Sequence, residues 1–443
     1  MKVLMLAAGR SKRMKPVEDK NFLQFMGRPL IEWQLTQLWQ AGFQKIVLVG
    51  GKHNLEQLRE LDDRMPMEID VIEQENLEEG MSGAVLAAAD LIGDEPCLVV
   101  SSNDVVDEKA FELMKKSIDE NDSAEDPDDV YLLAKKVEEY FPGGYLKLDN
   151  EGFVSGVVEK PEPGTEPSDL VNLVVHYFRK PADFVAKLRE VKSKKDDLYE
   201  VAVDAMIDDS AKIRAIEYAG YWQPVKFPWH VHQIFLHFFD TEKTQQQIHA
   251  DADVSDKAII DGPVIIDEGA RVMAGATVKG PCYIGRKSIV ATNALVRDSN
   301  VGANCVIGFS TEVARSHLGD NVWTHSNYIG DSVIGNDVSF GAGTVTGNLR
   351  LDEGLIGMNI GDQKVSTGTN KWGLVTGDHI RVGINNSFMP GRKIGSGSYV
   401  GAGLVIAEDI PEKSFVRGEI KLKISENKGT FSEEMRELMR KKL

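Results

Sequence analysis

The first 235 residues alternate short apolar runs with segments in which apolar residues recur at helical spacing. Four runs have the length and composition of buried strands, at 2–6, 45–49, 67–72 and 97–101. Two intervening segments predict helices, the amphipathic stretch 29–41 and the alanine-rich stretch 83–91. This order of strands and helices predicts an α/β domain over residues 1–235, built on a doubly wound, mostly parallel sheet.

From about residue 250 this alternation stops and a shorter repeat takes over. It consists of an apolar residue followed by glycine, and it occurs at Ile284, Val301, Ile307, Leu318, Ile329, Ile334, Phe340, Val382, Ile394 and Val400. Several repeats are five or six residues apart, a period that predicts a parallel β-helix with three short faces per coil. We expect this β-helix over residues 250–420, with one segment, 349–371, looping out of the stack of coils.

The last residues of the chain, 430–443, predict a short helix. Thr430 and Glu433 have the spacing of a capping box at its start. Four apolar side chains would share one face of this helix, those of Met435, Leu438, Met439 and Leu443. We expect that face to pack on the β-helix or on a neighbouring subunit.

The composition is that of an ordinary soluble globular protein, with 42% hydrophobic and 27% charged residues among 443. The cysteines, Cys97, Cys282 and Cys305, are far apart, so they indicate neither a disulfide framework nor a zinc site. A net charge of −18 argues against nucleic acid or an anionic membrane as a partner. No apolar run approaches the roughly 20 residues of a membrane span. The apolar N-terminal stretch is too short for a signal peptide, so we expect a cytoplasmic protein.

A glycine-containing turn rich in basic residues follows the first predicted strand. Backbone N–H groups beside Gly9 can approach phosphate oxygens closely, because glycine leaves room for them. The guanidinium of Arg13 can hold phosphate oxygens in a forked geometry, and Lys20 adds a second positive charge. The same residues would also fit a plain β–α turn that carries surface charges, so the pattern alone leaves both interpretations open.

This turn and the residues after it resemble the signature of sugar-1-phosphate nucleotidylyltransferases, G-x-G/S-x-R-M, then a lysine, then G-x-P-L/M. The resemblance implies a nucleoside triphosphate and a sugar-1-phosphate as substrates, with Arg13 and Lys20 as catalytic cations. The residues that it places on the nucleotide are Leu6, Ala8, Gly9, Ser11, Gln74, Gly80 and Ser82. The amide of Gln74 would pair with a uracil or thymine edge by donating and accepting at once.

The same resemblance extends to a metal site and a sugar site. Asp104, directly after a predicted strand, resembles the Mg²⁺ ligand of the family, and Mg²⁺ prefers one or two carboxylates together with phosphate oxygens and water. The residues that resemble the family's sugar-phosphate contacts are Gly144, Glu159, Lys160 and Asn172. An aspartate or asparagine that commonly completes Mg²⁺ binding near Trp222 is absent from this sequence.

The β-helix region resembles the acetyltransferase half of the bifunctional enzymes that make UDP-N-acetylglucosamine, above all those of the archaeal type. The matching run extends from His325 to Asn348. The resemblance implies a left-handed β-helix of hexapeptide repeats in which His325 is the general base. It further implies that Tyr328 and Asn348 contact the sugar phosphate or amine and that Ala342 lies on the path of acetyl-CoA. A lone histidine on a β-helix would equally fit a structural or solvated side chain.

The resemblance is incomplete in this acetyltransferase half. A family lysine falls at Ala314, with Arg315 beside it, an upstream arginine is shifted to Arg297 or lost, and an asparagine is Ser339. A phosphate-binding cleft that lacks its cations would have lost activity or changed its substrate.

Three functions fit these observations. The first is synthesis of UDP-N-acetylglucosamine from UTP, with acetylation of glucosamine-1-phosphate by acetyl-CoA in the β-helix. The second is formation of dTDP-glucose from dTTP, with a β-helix that is not catalytic. The third is a catalytically dead regulatory homologue, which the retained Arg13, Lys20 and Asp104 oppose and the missing acidic residue near Trp222 supports. We expect a homotrimer or a multiple of trimers.

Overall fold

The computed structural model of the chain describes residues 1–193, 197–242, 245–419, 421–429 and 432–442. It contains an α/β domain followed by a left-handed parallel β-helix, which confirms the predicted fold class. Within these described residues, none of the helices has both the length and the apolar character needed to cross a bilayer.

The α/β domain is built on one large twisted sheet. Its strands and the two short ladders beside it are β1 Lys2–Leu6, β2 Gln24–Phe25, β3 Arg28–Pro29, β4 Lys45–Gly50, β5 Glu68–Glu73, β6 Cys97–Ser101, β7 Asp104–Val106, β8 Val130–Lys136, β9 Gly144–Leu148, β10 Val154–Glu159, β11 Leu170–Phe178, β12 Ile213–Glu217 and β13 Trp222–Pro224. Strands β6, β1, β4 and β5 pair in parallel. Strand β11 joins β6 in the antiparallel sense and also pairs with β8 and β9, so the half of the sheet built after residue 130 is mixed.

Helices cover both faces of this sheet. They are α1 Leu30–Gln40, α2 Leu55–Arg59, α3 Gly80–Ala87, α4 Ala89–Ile92, α5 Glu108–Asp122, α6 Pro181–Glu190 and α7 Leu198–Asp208. Alternate residues of β1 face opposite sides, so that Leu4 and Leu6 share a core with α3, α6 and α7, whereas Val3 and Met5 share one with α1 and α5. A strand buried on both faces is apolar throughout, which is why β1 is visible in the sequence.

The β-helix domain stacks its short strands in parallel columns, apart from one antiparallel hairpin. Its strands are β14 Gln246–Ile248, β15 Asp253–Val254, β16 Ile259–Asp261, β17 Val264–Ile266, β18 Arg271–Val272, β19 Thr277–Ile284, β20 Ile289–Val290, β21 Leu295–Val301, β22 Val306–Ile307, β23 Glu312–Ala314, β24 His317–Leu318, β25 Trp323–Thr324, β26 Tyr328–Gly330, β27 Val333–Ile334, β28 Val338–Phe340, β29 Val345–Thr346, β30 Gly357–Ile360, β31 Gln363–Ser366, β32 Val375–Thr376, β33 Ile380–Val382, β34 Ser387–Phe388, β35 Lys393–Ile394, β36 Tyr399–Val400, β37 Val405–Ile406 and β38 Phe415–Val416. Aliphatic side chains of successive coils form one continuous buried core inside the stack.

One segment leaves the stack between β29 and β32, as the break in the repeat predicts. Leu349 and Lys371 form an isolated antiparallel bridge at its base, and β30 and β31 pair as a hairpin within it. Met358 and Trp372 of this segment are buried beside the α/β domain. The insertion therefore fills space between the two domains.

Helix α8, Val231–Thr241, runs through the predicted domain boundary and joins the two domains. The ring of Phe238 stacks on Trp33 with centroids 4.7 Å apart and meets Phe25 edge-on at 5.6 Å. The Phe25 ring lies 5.1 Å from the His317 ring of the β-helix. The two domains thus share one buried apolar cluster.

All residues of the C-terminal helix, α9 Glu433–Arg440, are exposed to solvent. Ser432 caps it, with Oγ accepting the N–H of Met435 at 3.3 Å. Thr430 and Leu443 lie outside the described residues. The predicted capping box of Thr430 and Glu433 is wrong, because Glu433 is the first residue of the helix and Ser432 is its N-cap. The expectation that this helix packs on the β-helix of its own chain is wrong, because Met435 keeps 63% of its surface exposed.

Candidate active sites

The turn after β1 is shaped by hydrogen bonds from residues that carry no obvious signal in the sequence. Ser11 has a left-handed backbone with a φ of 51°, a conformation that is uncommon without glycine. Its Oγ accepts the N–H of Lys20 at 3.2 Å. The carbonyl of Ala7 accepts from the side-chain amides of Asn21 and Asn54, at 3.1 and 3.0 Å. A serine can therefore stand where the family more often has glycine.

Three predicted nucleotide contacts lie at the carboxyl end of β1. Leu6 and Ala8 are buried, so their side chains pack against the sheet. The carbonyl of Leu6 accepts the N–H of Ser102 at 3.1 Å, which joins the ends of β1 and β6. Gly9 is open, since a Cβ there would meet no heavy atom closer than Asn103 Oδ1 at 4.0 Å.

Lys20 extends into the interior of the site. Its Nζ donates to the carbonyl of Val225 at 3.0 Å. Burial, together with the charge of Arg13, lowers the pKa of Lys20 to about 8. Arg13 itself is exposed, with its guanidinium 5.7 Å from the centroid of the Phe227 ring. Both predicted cations therefore lie at the turn after β1, Lys20 in the protein interior and Arg13 at the surface.

Two other basic residues of this stretch, Arg10 and Lys15, are engaged elsewhere. Arg10 forms an ion pair with Glu78, and Lys15 pairs with Glu18 at 3.0 Å. Glu18 in turn accepts a hydrogen bond from Ser396 of the β-helix at 2.7 Å. This end of the basic stretch therefore contacts the second domain.

Asp104 lies at the carboxyl end of the sheet, on the two-stranded ladder of β7 and β13. Its Oδ1 accepts from the indole Nε1 of Trp222 at 2.9 Å. Burial raises the pKa of Asp104, although the hydrogen bond from Trp222 and the charges of Lys226 and Lys20 oppose this. Pro224 is its direct register partner in β13.

The fit of Mg²⁺ to this site depends on what else binds there. The described residues contain no cluster of three or more histidine, cysteine, aspartate or glutamate side chains able to hold a metal ion. Asp104 offers a single carboxylate with one oxygen already engaged, and Pro224 offers none. Because Mg²⁺ completes its shell with phosphate oxygens and water, Asp104 fits an ion that arrives on a nucleotide but not one held by the protein alone.

The predicted base-recognition stretch surrounds Gln74. Its Nε2 donates to the carbonyls of Asn76 and Gly80, both at 2.9 Å, so only Oε1 remains to meet a base. Gly80 has a φ of 57° and a ψ of −142°, a region almost restricted to glycine. Ser82 is buried in the first turn of α3. The interpretation of Gln74 as donor and acceptor at once is therefore wrong for this conformation.

The predicted sugar site is brought together by β9, β10 and β11. Gly144 and Glu159 are register partners, and a Cβ on Gly144 would lie 3.1 Å from Glu159 Oε2. Lys160 pairs with Glu159 at 2.7 Å. Asn172 accepts through Oδ1 from His176 Nε2 at 2.9 Å. All four predicted residues thus line one end of the sheet.

Two further titratable residues adjoin the sugar site, and sequence reasoning did not find them. His176 is fully buried, and burial lowers its pKa to about 3, so the ring is neutral. Its Nδ1 accepts from the hydroxyl of Tyr199 at 2.9 Å. Burial, with smaller effects of Glu159 and Asp197, raises the pKa of Glu200 to about 7. Their only signal in the sequence is polarity within apolar segments.

The predicted acetyltransferase residues gather on adjacent coils. His325 is exposed, and the coil after it carries Ala342. Asn348 Nδ2 donates to the hydroxyl of Tyr328 at 3.0 Å and also to Asp331. These residues therefore share one region of the β-helix surface.

The departures from the family pattern have structural consequences in this region. Ala314 is fully buried. Arg315 beside it forms a forked pair with Asp331, at 2.6 and 2.7 Å, and Arg297 pairs with Glu312 at 2.8 Å. Both cations are thus already neutralised by carboxylates.

The sequence matches the family described as Nucleotidyl transferase over residues 2–225. It is 30% identical to the bifunctional sugar-1-phosphate nucleotidylyltransferase/acetyltransferase of Sulfurisphaera tokodaii, over 94% of this chain and 100% of that protein. It is 28% identical to the bifunctional protein GlmU of Methanocaldococcus jannaschii, over 94% of this chain and 97% of that protein. It is 29% identical to the bifunctional protein GlmU of Methanococcus maripaludis, over 97% of this chain and 100% of that protein. The chain therefore belongs to the nucleotidyl transferase family, as an enzyme of the bifunctional sugar-1-phosphate nucleotidylyltransferase/acetyltransferase kind.

Proposed function

We propose that the α/β domain transfers a uridylyl group from UTP to N-acetylglucosamine-1-phosphate and releases pyrophosphate. The observation that supports this is the convergence of two groups of residues. Arg13 and Asp104 on the nucleotide side, and Glu159 and Lys160 on the sugar side, all act electrostatically on Lys226. Lys226 Nζ lies 4.1 Å from the ring of Phe141, which contacts Trp222 with centroids 4.7 Å apart, and Trp222 donates to Asp104 at 2.9 Å. A pocket that joins a triphosphate to a sugar phosphate needs both groups within such a distance.

The reaction is an in-line displacement. An oxygen of the sugar phosphate forms a bond to the α-phosphorus, and the bond from that phosphorus to the β-phosphate oxygen breaks, so pyrophosphate leaves with the electron pair. The nucleophile is already an anion, so no general base is required. Catalysis then consists of positioning and of neutralising charge, which Arg13, Lys20 and Lys160 can supply. Mg²⁺ bound to the triphosphate as part of that substrate would neutralise further charge, with Asp104 as its protein ligand.

Thymidylyl transfer to glucose-1-phosphate is the second candidate. Gln74 offers only Oε1 to a base, and the N3–H groups of uracil and thymine can both donate to it. The methyl group that separates these bases is worth only about 1–3 kcal/mol in a pocket.

We also propose that the β-helix acetylates glucosamine-1-phosphate with acetyl-CoA. His325 would act as general base toward the amine, while Tyr328 and Asn348 would orient the sugar and Ala342 would lie beside acetyl-CoA. The hydrogen bond between Tyr328 and Asn348 supports this role, because it holds both side chains at the same site. Tyr399 and Phe415 are exposed register partners on one face of the β-helix. Trp323 is exposed in the same column, with Ser339 and Arg381 between it and Tyr399. These exposed rings support assembly of the β-helix into a homotrimer.

Pyrophosphate release tests the first proposal. Purified protein with Mg²⁺ would be assayed with UTP, dTTP, CTP, ATP and GTP, each crossed with several sugar-1-phosphates. We expect the highest kcat/KM with UTP and N-acetylglucosamine-1-phosphate, and a preference for dTTP with glucose-1-phosphate would select the second candidate. Folded protein that releases no pyrophosphate with any pair would contradict both and favour a regulatory homologue.

Paired variants test whether the two activities have separate sites. Asp104→Ala should abolish nucleotidyl transfer and leave acetyl transfer intact, because Asp104 lies in the α/β domain. His325→Ala should do the reverse. Loss of both activities in either variant, with an unchanged thermal unfolding midpoint, would contradict the two-site proposal.

A further inference from the structure

The position opposite Asp104 carries no ligand for a metal ion. Strand β13 pairs with β7 so that Pro224 is the register partner of Asp104. The segment that follows is fixed in place, because the N–H of Val225 donates to the carbonyl of Asn103 at 2.7 Å. The acidic residue expected near Trp222 is therefore replaced by a side chain with no oxygen.

Lys226, two residues after Pro224, carries a positive charge into this part of the site. Its Nζ donates to the carbonyl of Pro142 at 3.2 Å and lies 4.1 Å from the centroid of the Phe141 ring. The loop that contains these two residues leads into β9 and the sugar site. Lys226 thus lies between the nucleotide side and the sugar side.

The charges around Lys226 indicate what it can bind. The acidic groups that interact with its ammonium are Asp104 and Glu159, and the basic ones are Arg13 and Lys160. Asp104 is in turn influenced by both Lys20 and Lys226. Four cations, Arg13, Lys20, Lys160 and Lys226, thus outnumber the two carboxylates, and this net positive charge repels a free divalent ion but attracts phosphate groups.

We propose that Lys226 is a catalytic cation that holds the two reacting phosphates together, two residues after the position at which the family pattern has a second metal ligand. This inference rests on the proposed nucleotidyl transfer. The attacking sugar phosphate and the α-phosphate are both anions, so their approach is opposed by charge repulsion. A fixed ammonium between them offsets that repulsion in the transition state. The protein accordingly binds a divalent ion only together with a nucleotide.

A purely structural role for Lys226 is the alternative, since its ammonium also holds the carbonyl of Pro142. Lys135 provides a matched control, because it makes the same kinds of contact away from the site. Its Nζ donates to the carbonyl of Gly220 at 2.6 Å and lies 5.6 Å from the ring centroid of Tyr218. Both lysines are half-buried.

The kinetic test compares Lys226→Met, Lys226→Arg and Lys135→Met with the unaltered protein. We expect Lys226→Met to lower kcat for pyrophosphate release about 100-fold, the loss typical of one removed transition-state charge contact, with a smaller change in the KM for UTP. Lys226→Arg should retain most of kcat, and Lys135→Met all of it. Unchanged kcat in Lys226→Met, or equal losses in both methionine variants, would overturn the proposal.

A binding test does not depend on activity. Electron paramagnetic resonance of Mn²⁺ would be recorded with the full-length protein, with and without UTP. We expect no saturable Mn²⁺ binding without nucleotide and clear binding with it. Saturable binding without nucleotide would show a site held by the protein and would overturn the proposal. Unaltered protein that binds Mn²⁺ only with UTP but releases no pyrophosphate would refute the proposed function and not the metal-binding part of this inference.

Discussion

The ammonium group of Lys20 is held in the protein interior, where burial lowers its pKa to about 8. Such a lysine is charged at neutral pH and loses its proton as the pH rises past about 8. Bound triphosphate favours the charged form, so we expect nucleotide binding above about pH 8 to be accompanied by proton uptake. Calorimetric titration with UTP in buffers of different ionisation enthalpy measures this uptake. Lys20→Met should reduce it and Lys135→Met should not, and equal uptake in all three proteins would contradict the assignment.

The raised pKa of Glu200 predicts that the stability of the folded protein changes with pH. Burial raises its pKa to about 7 from an ordinary value of 4.5, so the folded protein binds this proton more tightly than the unfolded chain does. Stability is therefore lost as the pH rises from about 4.5 through about 7. Glu200→Gln removes this loss, so its thermal unfolding midpoint should exceed that of the unaltered protein at about pH 8 but hardly at about pH 5.

The control for Glu200 is Glu139→Gln, which makes the same change of side chain at an exposed position. It should leave the midpoint unchanged at both pH values. A Glu200→Gln midpoint that rises equally at both would show that the gain does not come from ionisation.

The site residues show which features a sequence can reveal. That Arg13, Lys20, Asp104, Glu159 and Asn172 lie in one region of the α/β domain could be predicted from the family pattern that they match in order along the chain, while their roles stay predictions. The hydrogen bonds that set their roles could not. Lys20 donates to a carbonyl 205 residues away, and no local pattern specifies such a contact.

The elements differ in how directly their sequences specify them. The first strand is buried on both faces and so appears as a plain apolar run. The antiparallel strand β11 pairs with β6, β8 and β9. These pairings join strands that lie far apart in the sequence, so no local pattern predicts them. The β-helix was predictable because each coil places an aliphatic residue in the same buried position as the coil before it, so the pattern repeats along the sequence. Helix α9 was predictable as a helix from its apolar face, although its cap is Ser432 and not the predicted Thr430. Its packing was not predictable, since the exposed face has no partner within the described chain.

Close stacking of the coils leaves no room for a Cβ at some glycines of the β-helix, so their replacement should lower the stability of the fold. A Cβ on Gly302 would lie 2.5 Å from the carbonyl carbon of Gly319 in the next coil. Backbone atoms of a stacked coil cannot move aside as a side chain can, so Gly302→Ala should destabilise the fold by about 1–3 kcal/mol. Chemical denaturation measures this, with Gly156→Ala as the control, because the nearest atom there is Asp204 Oδ1 at 3.9 Å. Equal midpoints for both variants would contradict the close-contact argument.

The whole molecule should unfold as one unit, because α8 packs against both domains. Phe238 is fully buried between Trp33 and Phe25. We expect scanning calorimetry to show a single transition for the unaltered protein. Phe238→Ala removes about 3–5 kcal/mol of packing and should lower the midpoint and split the transition in two. Two transitions in the unaltered protein would show that the shared cluster does not couple the domains.

The shared cluster also limits how this protein can have been assembled and can be altered. Phe25 and Trp33 belong to the α/β domain and Phe238 to the joining helix α8, yet their burial involves His317 and Tyr283 of the β-helix. A fragment that ends at α8 would expose the apolar surface of this cluster to water. Recombination that replaces one domain with a homologous one must therefore preserve an apolar surface that is complementary to the other domain. The two domains are thus expected to be inherited as a pair.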